Sequence, residues 1–158
     1  HGMPGIRLHP GYHGYSLDHP AFAALLALAV EKGMAVQIAL GMEDERTQNP
    51  VARVARVDAA ALPPIGQARV MLLNTPLPAR AKQLPGVLFD IAMVEGTGGV
   101  ERLVDTVGAG RVLFGSNFPL FYFEAAEGKL RESGFPAEVE HAIREGNAQR
   151  LVTWAGRR

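Results

Sequence analysis

Three short stretches of this chain carry side chains able to do chemistry. His9 closes the run Gly5-Ile6-Arg7-Leu8, and His13 follows inside Gly11-Tyr12-His13-Gly14-Tyr15. Two neighbouring imidazoles framed by tyrosines suit acid–base work near neutral pH, or a metal ion. A polar loop whose histidines hydrogen-bond the backbone accounts for the same residues. Glu43-Asp44-Glu45-Arg46 offers a carboxylate base and a guanidinium clamp for a substrate, with Asp44 and Arg46 as the binding candidates. Local ion pairs on a solvated loop explain this stretch as well. In Arg111-Val112-Leu113-Phe114-Gly115-Ser116-Asn117-Phe118-Pro119-Leu120, an apolar run is cut off by a turn and followed by Asn117. Asn74 stands in the same relation to the run Ala68–Leu73. An amide takes no proton as a base, but it orients a substrate carbonyl or hydroxyl. The alternative for both is a turn amide bonding its own backbone.

Weaker features surround these. Phe118, Leu120, Phe121, Tyr122 and Phe123 form either a pocket wall or packing under the next helix, and Glu124 can add a carboxylate at its lip. Asp90, read as lying inside a strand, needs a partner if buried, and Arg7 is a candidate for a core ion pair. Gly96-Thr97-Gly98-Gly99 at a helix start offers backbone amides to an anion, a signal of low specificity. No Gly-x-Gly-x-x-Gly, P-loop or Gly-x-Ser-x-Gly motif occurs, so nucleotide binding and serine hydrolase chemistry have no direct support.

The elements that must position these groups alternate. Gly5–Pro10, Ala35–Leu40, Ala68–Asn74, Val87–Ala92 and Arg111–Phe114 read as strands, most of them apolar as in sheets covered on both faces. Pro20 to Gly33 reads as a helix, with Asp18 as a cap and Gly33 as its stop. Pro50 to Ala61 is ambiguous. Gly98–Val107, Glu124–Ser133, Pro136–Glu145 and Ala148–Trp154 complete the helices. This rhythm predicts an α/β fold, parallel strands joined by crossover helices. With about five strands against the eight of a closed (β/α)8 barrel, the chain reads as the C-terminal portion of such a barrel. An open portion is expected to expose apolar strand surface and edges, and so to associate.

Composition bounds the rest. The chain has 158 residues, 47% apolar and 20% charged, with no net charge and no cysteine. One globular domain over 1–158 is expected, with no disulfide, no thiol chemistry and no affinity for nucleic acid or an anionic membrane. No apolar run approaches the roughly 20 residues of a membrane span, and the first residues carry no leader pattern. A cytoplasmic location is the expectation.

Phe114-Gly115-Ser116-Asn117, with Gly146-Asn147-Ala148-Gln149-Arg150-Leu151, resembles the amidohydrolase-related family of metal-dependent hydrolases and decarboxylases. The similarity extends through Gly5–Pro10, Pro20–Gly41 and Val94–Pro119. It implies a barrel with its site at the C-terminal strand ends and a divalent metal, often zinc. In that family a His-x-His pair lies on the first strand, histidines end the fifth and sixth, and an aspartate ends the eighth. The matching positions here are Ala39, Leu73 or Asn74, and Asn117, and the first strand is not represented. A metal would need ligands from absent strands or from His9 and His13.

The functional expectation is a hydrolase for a small organic carbonyl or amide substrate, with His9, His13 and Asn117 acting and Asp44, Arg46, Asn74, Tyr122 and Glu124 binding. The alternative is a non-catalytic small-molecule binder that has lost the metal. A homo-oligomer, or the missing N-terminal barrel half, is the expected partner.

Overall fold

The computed structural model describes residues 2–42, 46, 48, 49, 51, 54–76 and 78–155, with only the backbone described for 78, 79 and 152–155. Five strands form one sheet: β1 (Gly5–Leu8), β2 (Ala35–Ala39), β3 (Arg69–Leu73), β4 (Leu88–Asp90) and β5 (Val112–Leu113). Their spatial order follows the chain, and every pairing is parallel. Each crossover therefore steps to the adjacent strand in one direction, as in a barrel wall. A doubly wound sheet instead reverses its order at a switch point.

The period of two along each strand divides the sheet into faces with different work. Val36, Ile38, Val70, Leu72, Phe89 and Val112 point to one face. There they pack with Phe22, Leu26 and Ala29 of α2 (Pro20–Glu31), and with Val100 and Leu103 of α4 (Gly99–Val107). Leu130 of α5 (Phe123–Glu132) joins the same core. The opposite face carries Ala35, Met71 and Leu113 with Leu73 and Leu88. Leu151 of α7 (Asn147–Ala155) packs onto this second face, and Arg69 reaches its carbonyl at 2.8 Å. The apolar inner face is thus partly covered from within the chain.

Local details differ from the sequence reading in instructive ways. The α2 cap is His19, whose Nδ1 accepts the Ala21 N–H at 3.2 Å. Asp18 lies one residue too early, because Pro20 already occupies the first turn. Gly33, at φ 64°, ends the helix as expected. The fourth strand stops at Asp90, since Val94 N–H turns back to the Ile91 carbonyl at 3.2 Å. Of the ambiguous stretch, Ala59–Ala61 form one tight turn capped by Asp58, while residues 50, 52 and 53 lie outside the described residues. α1 is a single turn, Pro10–His13, and α3 is another, Pro78–Ala81. The last two expected helices are one continuous run, α6 (Ala137–His141) and α7 joined by a π turn over Ala142–Gly146. In that turn the Ile143 carbonyl accepts the Phe114 N–H at 2.8 Å. Asn147, 1% exposed, gives its amide hydrogens to the Ala109 and Val112 carbonyls, fastening α7 to β5. No helix among the described residues is long and apolar enough to cross a membrane.

Candidate active site

Parallel strands end together, so the residues just past β1 to β5 gather at one rim. A cavity of about 320 Å³ opens there, lined by Arg7, His9, Asn74, Asp90, Ser116 and Asn117 among others. The inward positions of the strands, Gln37, Met71, Leu73 and Leu113, form its floor.

Asp90 is the group the sequence reading placed least well. As the last residue of β4 it faces this cavity, 4% exposed. It makes no core ion pair with Arg7, whose Nε donates instead to Gln37 Oε1 at 2.8 Å. The carboxylate accepts the Asn74 N–H at 2.9 Å. Burial pushes its pKa up from 3.8 to about 6, against the opposing pull of the Asn74 and Ala92 N–H groups and the Lys129 and Arg7 charges. Lys129 sits half-buried with its ammonium on the Ile91 and Ala92 carbonyls, at 3.2 and 2.7 Å. Gly115 allows the close approach: a Cβ there would lie 2.7 Å from Asp90 Oδ2. The glycine of Phe-Gly-Ser therefore makes room for a buried carboxyl.

Asn74 and Asn117 both adopt positive φ, 59° and 54°, which asparagine tolerates better than most residues. Their side-chain NH₂ groups reach the loop after β2 rather than their own turns. Asn74 Nδ2 donates to the Gly41 carbonyl at 2.8 Å, and Asn117 Nδ2 to the Met42 carbonyl at 3.0 Å. A carbonyl partner fixes which end of each amide points that way, because only the NH₂ end can donate.

His9 lines the cavity with Nδ1 3.2 Å from Met42 Sδ. Burial, then the Arg7 and His13 charges, hold its pKa below the ordinary 6.5, so the ring is neutral at pH 7. His13 is exposed and outside the lining. Its ring lies 6.4 Å from that of His9, parallel to Tyr15 and edge-on to Tyr12. Arg7, anchored through Nε, keeps its terminal N–H groups without a hydrogen-bond partner among the described residues.

The expected binding residues are dispersed. Asp44 lies outside the described residues. Arg46 is exposed and pairs with Glu95 at 3.1 Å, away from the cavity. Tyr122, 83% exposed, borders a neighbouring hollow of about 630 Å³ between the loop after β4 and α5, which meets the first cavity at Ser116. Glu124 is exposed in the first turn of α5, where a negative charge favours the helix end. Of all the expected residues, His9, Asn74 and Asn117 share the cavity. Arg7 and Asp90 join them, and strand parity was the signal for both: each sits on the inward-facing set of its strand.

The divalent ion implied by the resemblance needs converging lone pairs from imidazole, carboxylate or thiolate. Ala39 has no donor atom. The two amides turn N–H groups, not lone pairs, toward the Gly41–Met42 loop. No three His, Cys, Asp or Glu side chains cluster among the described residues. The three positions that the resemblance assigns to ligands, Ala39, Asn74 and Asn117, thus present no imidazole, carboxylate or thiolate to a divalent ion.

Comparison with known proteins agrees with this architecture. No curated protein matches the sequence. The solved structure of 5-carboxyvanillate decarboxylase from Sphingomonas paucimobilis superposes with TM-score 0.70 at 13% identity, over 95% of this chain and 58% of that one. An uncharacterized TIM-barrel protein from Bordetella bronchiseptica gives TM-score 0.70 at 18% identity, over 99% and 59%. A putative 2-pyrone-4,6-dicarboxylic acid hydrolase from Pseudomonas putida gives TM-score 0.64 at 20% identity, over 96% and 63%. At such identities the likeness is one of fold: five βα units of a TIM barrel, spanning about three fifths of these structures' length. The sequence itself matches the family model described as Amidohydrolase over residues 1–154, and the chain belongs to that family.

Proposed function

We propose that the cavity at the strand tips is an acid–base site for a small organic carbonyl or amide compound, with hydrolase-type chemistry. The observation that carries this is His9 and Asp90 on one cavity with pKa values displaced in opposite directions toward each other. Neutral His9 takes a proton from an attacking water. Asp90, protonated in mildly acid solution, gives a proton to the leaving atom as its bond to the carbonyl carbon breaks. The terminal N–H groups of Arg7 suit the negative charge that develops on the carbonyl oxygen. The structures similar to this chain include a decarboxylase and a putative hydrolase, and both kinds of reaction need a placed proton donor.

Turnover of small esters, lactones and amides by the purified protein, followed by mass spectrometry from pH 5 to 8, tests this. A bell-shaped profile is expected, rising as His9 loses its proton below pH 6.5 and falling as Asp90 loses its own through about pH 6. Asp90→Asn and His9→Gln should each lower kcat/KM by about 100-fold or more. The neutral amides at the strand tips favour one second reading, binding without turnover. Saturable binding with no product selects that reading, and neither binding nor turnover contradicts both.

A further inference from the structure

The loop that follows β2 is held from two directions. Asn74, past β3, donates to the Gly41 carbonyl, and Asn117, past β5, donates to the next carbonyl, Met42. Each amide is one step from a titratable group. The Asn74 backbone N–H holds Asp90 Oδ1 at 2.9 Å, and Met42 Sδ lies 3.2 Å from His9 Nδ1. The Leu40 N–H, bonded to the Leu73 carbonyl at 3.1 Å, secures the start of the same loop.

We infer that Asn74 and Asn117 are positioning residues, tying the loop after β2 to the strand tips by amide-to-carbonyl hydrogen bonds at the positions where the family resemblance puts a cation's ligands. A cation joins strand tips through lone pairs that converge on it. An amide N–H joins a tip to a backbone carbonyl directly and without charge. The two devices need opposite groups at the same place, so aspartate at 117 is no substitute: its carboxylate would face the Met42 carbonyl, acceptor against acceptor. The tie acts on His9 through Met42 and on Asp90 through the Asn74 backbone. It stands independently of whether the cavity turns over a substrate.

Three readouts on the full chain test it. In the unsubstituted protein, the side-chain NH₂ hydrogens of Asn117 should exchange with water at least about tenfold more slowly than those of exposed Asn49; equal rates overturn the inference. Asn117→Ala should shift the NMR titration of His9 up toward 6.5, since Met42 no longer covers the ring. An unmoved titration overturns the positioning role, because an amide that merely supports the fold has no reason to alter that ring. Calorimetric titration with zinc chloride, and separately manganese chloride, should show no binding that depends on Asn117, and Asn117→Asp should lower the melting temperature by roughly 3–10 °C. Stoichiometric metal binding that Asn117→Ala abolishes, or an Asn117→Asp protein that melts unchanged, contradicts the inference.

Discussion

Asp90 concentrates the physics of this site in one side chain. It lies at the end of a strand, buried, next to a glycine whose missing Cβ leaves its carboxylate room. Because burial raises its folded-state pKa to about 6 from 3.8, protonation favours the folded form. Its contribution to stability is therefore present in full below about pH 3.8 and lost as pH rises to about 6, a change of about 3 kcal/mol. Asp90→Asn lacks this titration. Its unfolding free energy relative to the unsubstituted protein should gain roughly 2–2.5 kcal/mol between pH 4 and pH 7 in denaturant melts, and a constant difference would count against a raised pKa. Gly115→Ala should cost roughly 1–3 kcal/mol in the same measurement, because its Cβ would lie 2.7 Å from Asp90 Oδ2 and 2.9 Å from Asp90 Cβ. A substitution without effect would mean that the carboxylate can move aside freely. Neither role was legible from the residue itself. Asp90 follows Leu88-Phe89 as though mid-strand, and only the turn at Ile91–Val94 shows that the strand has ended.

At the scale of elements, the strand tips depend on the loops that leave them. The loop after β4 is pinned by the Lys129 ammonium on two successive carbonyls, Ile91 and Ala92, and the Ala92 N–H in turn serves Asp90. Lys129→Met keeps the apolar stem and removes the donor. It should destabilise the protein by about 1–3 kcal/mol, read by thermal melting. An unchanged melt would show that water satisfies those carbonyls as well. The elements themselves were largely legible, because apolar runs broken by Gly, Pro and Asn mark strands with both faces covered. Boundaries were less so. His19 took the cap expected of Asp18, and a π turn merged two helices into one run, since both outcomes depend on partners distant in sequence or on local geometry. The binding residues sought in Glu43–Arg46 and in Tyr122–Glu124 follow the right strands, yet a loop's direction is set by packing that composition does not encode. Arg46 and Tyr122 accordingly lie away from the His9 cavity.

At the scale of the whole molecule, a parallel sheet in sequential order brings five chain-distant tips to one rim, and strand parity sorts their side chains between helices and cavity. That order was foreseeable from the βα rhythm. The folding of α7 across the inner face was not, because Leu151 and Asn147 resemble any apolar and polar pair in a terminal helix until β5 and the inner face are in place. The rim brings a neutral imidazole, His9, and a readily protonated carboxyl, Asp90, into one cavity. Site-resolved NMR titration of the Asp90 carboxyl carbon and the His9 ring, in one sample of the unsubstituted protein, tests it most directly. A midpoint near 6 is expected for Asp90 and one below 6.5 for His9. An Asp90 midpoint near 3.8 together with a His9 midpoint at or above 6.5 would contradict it.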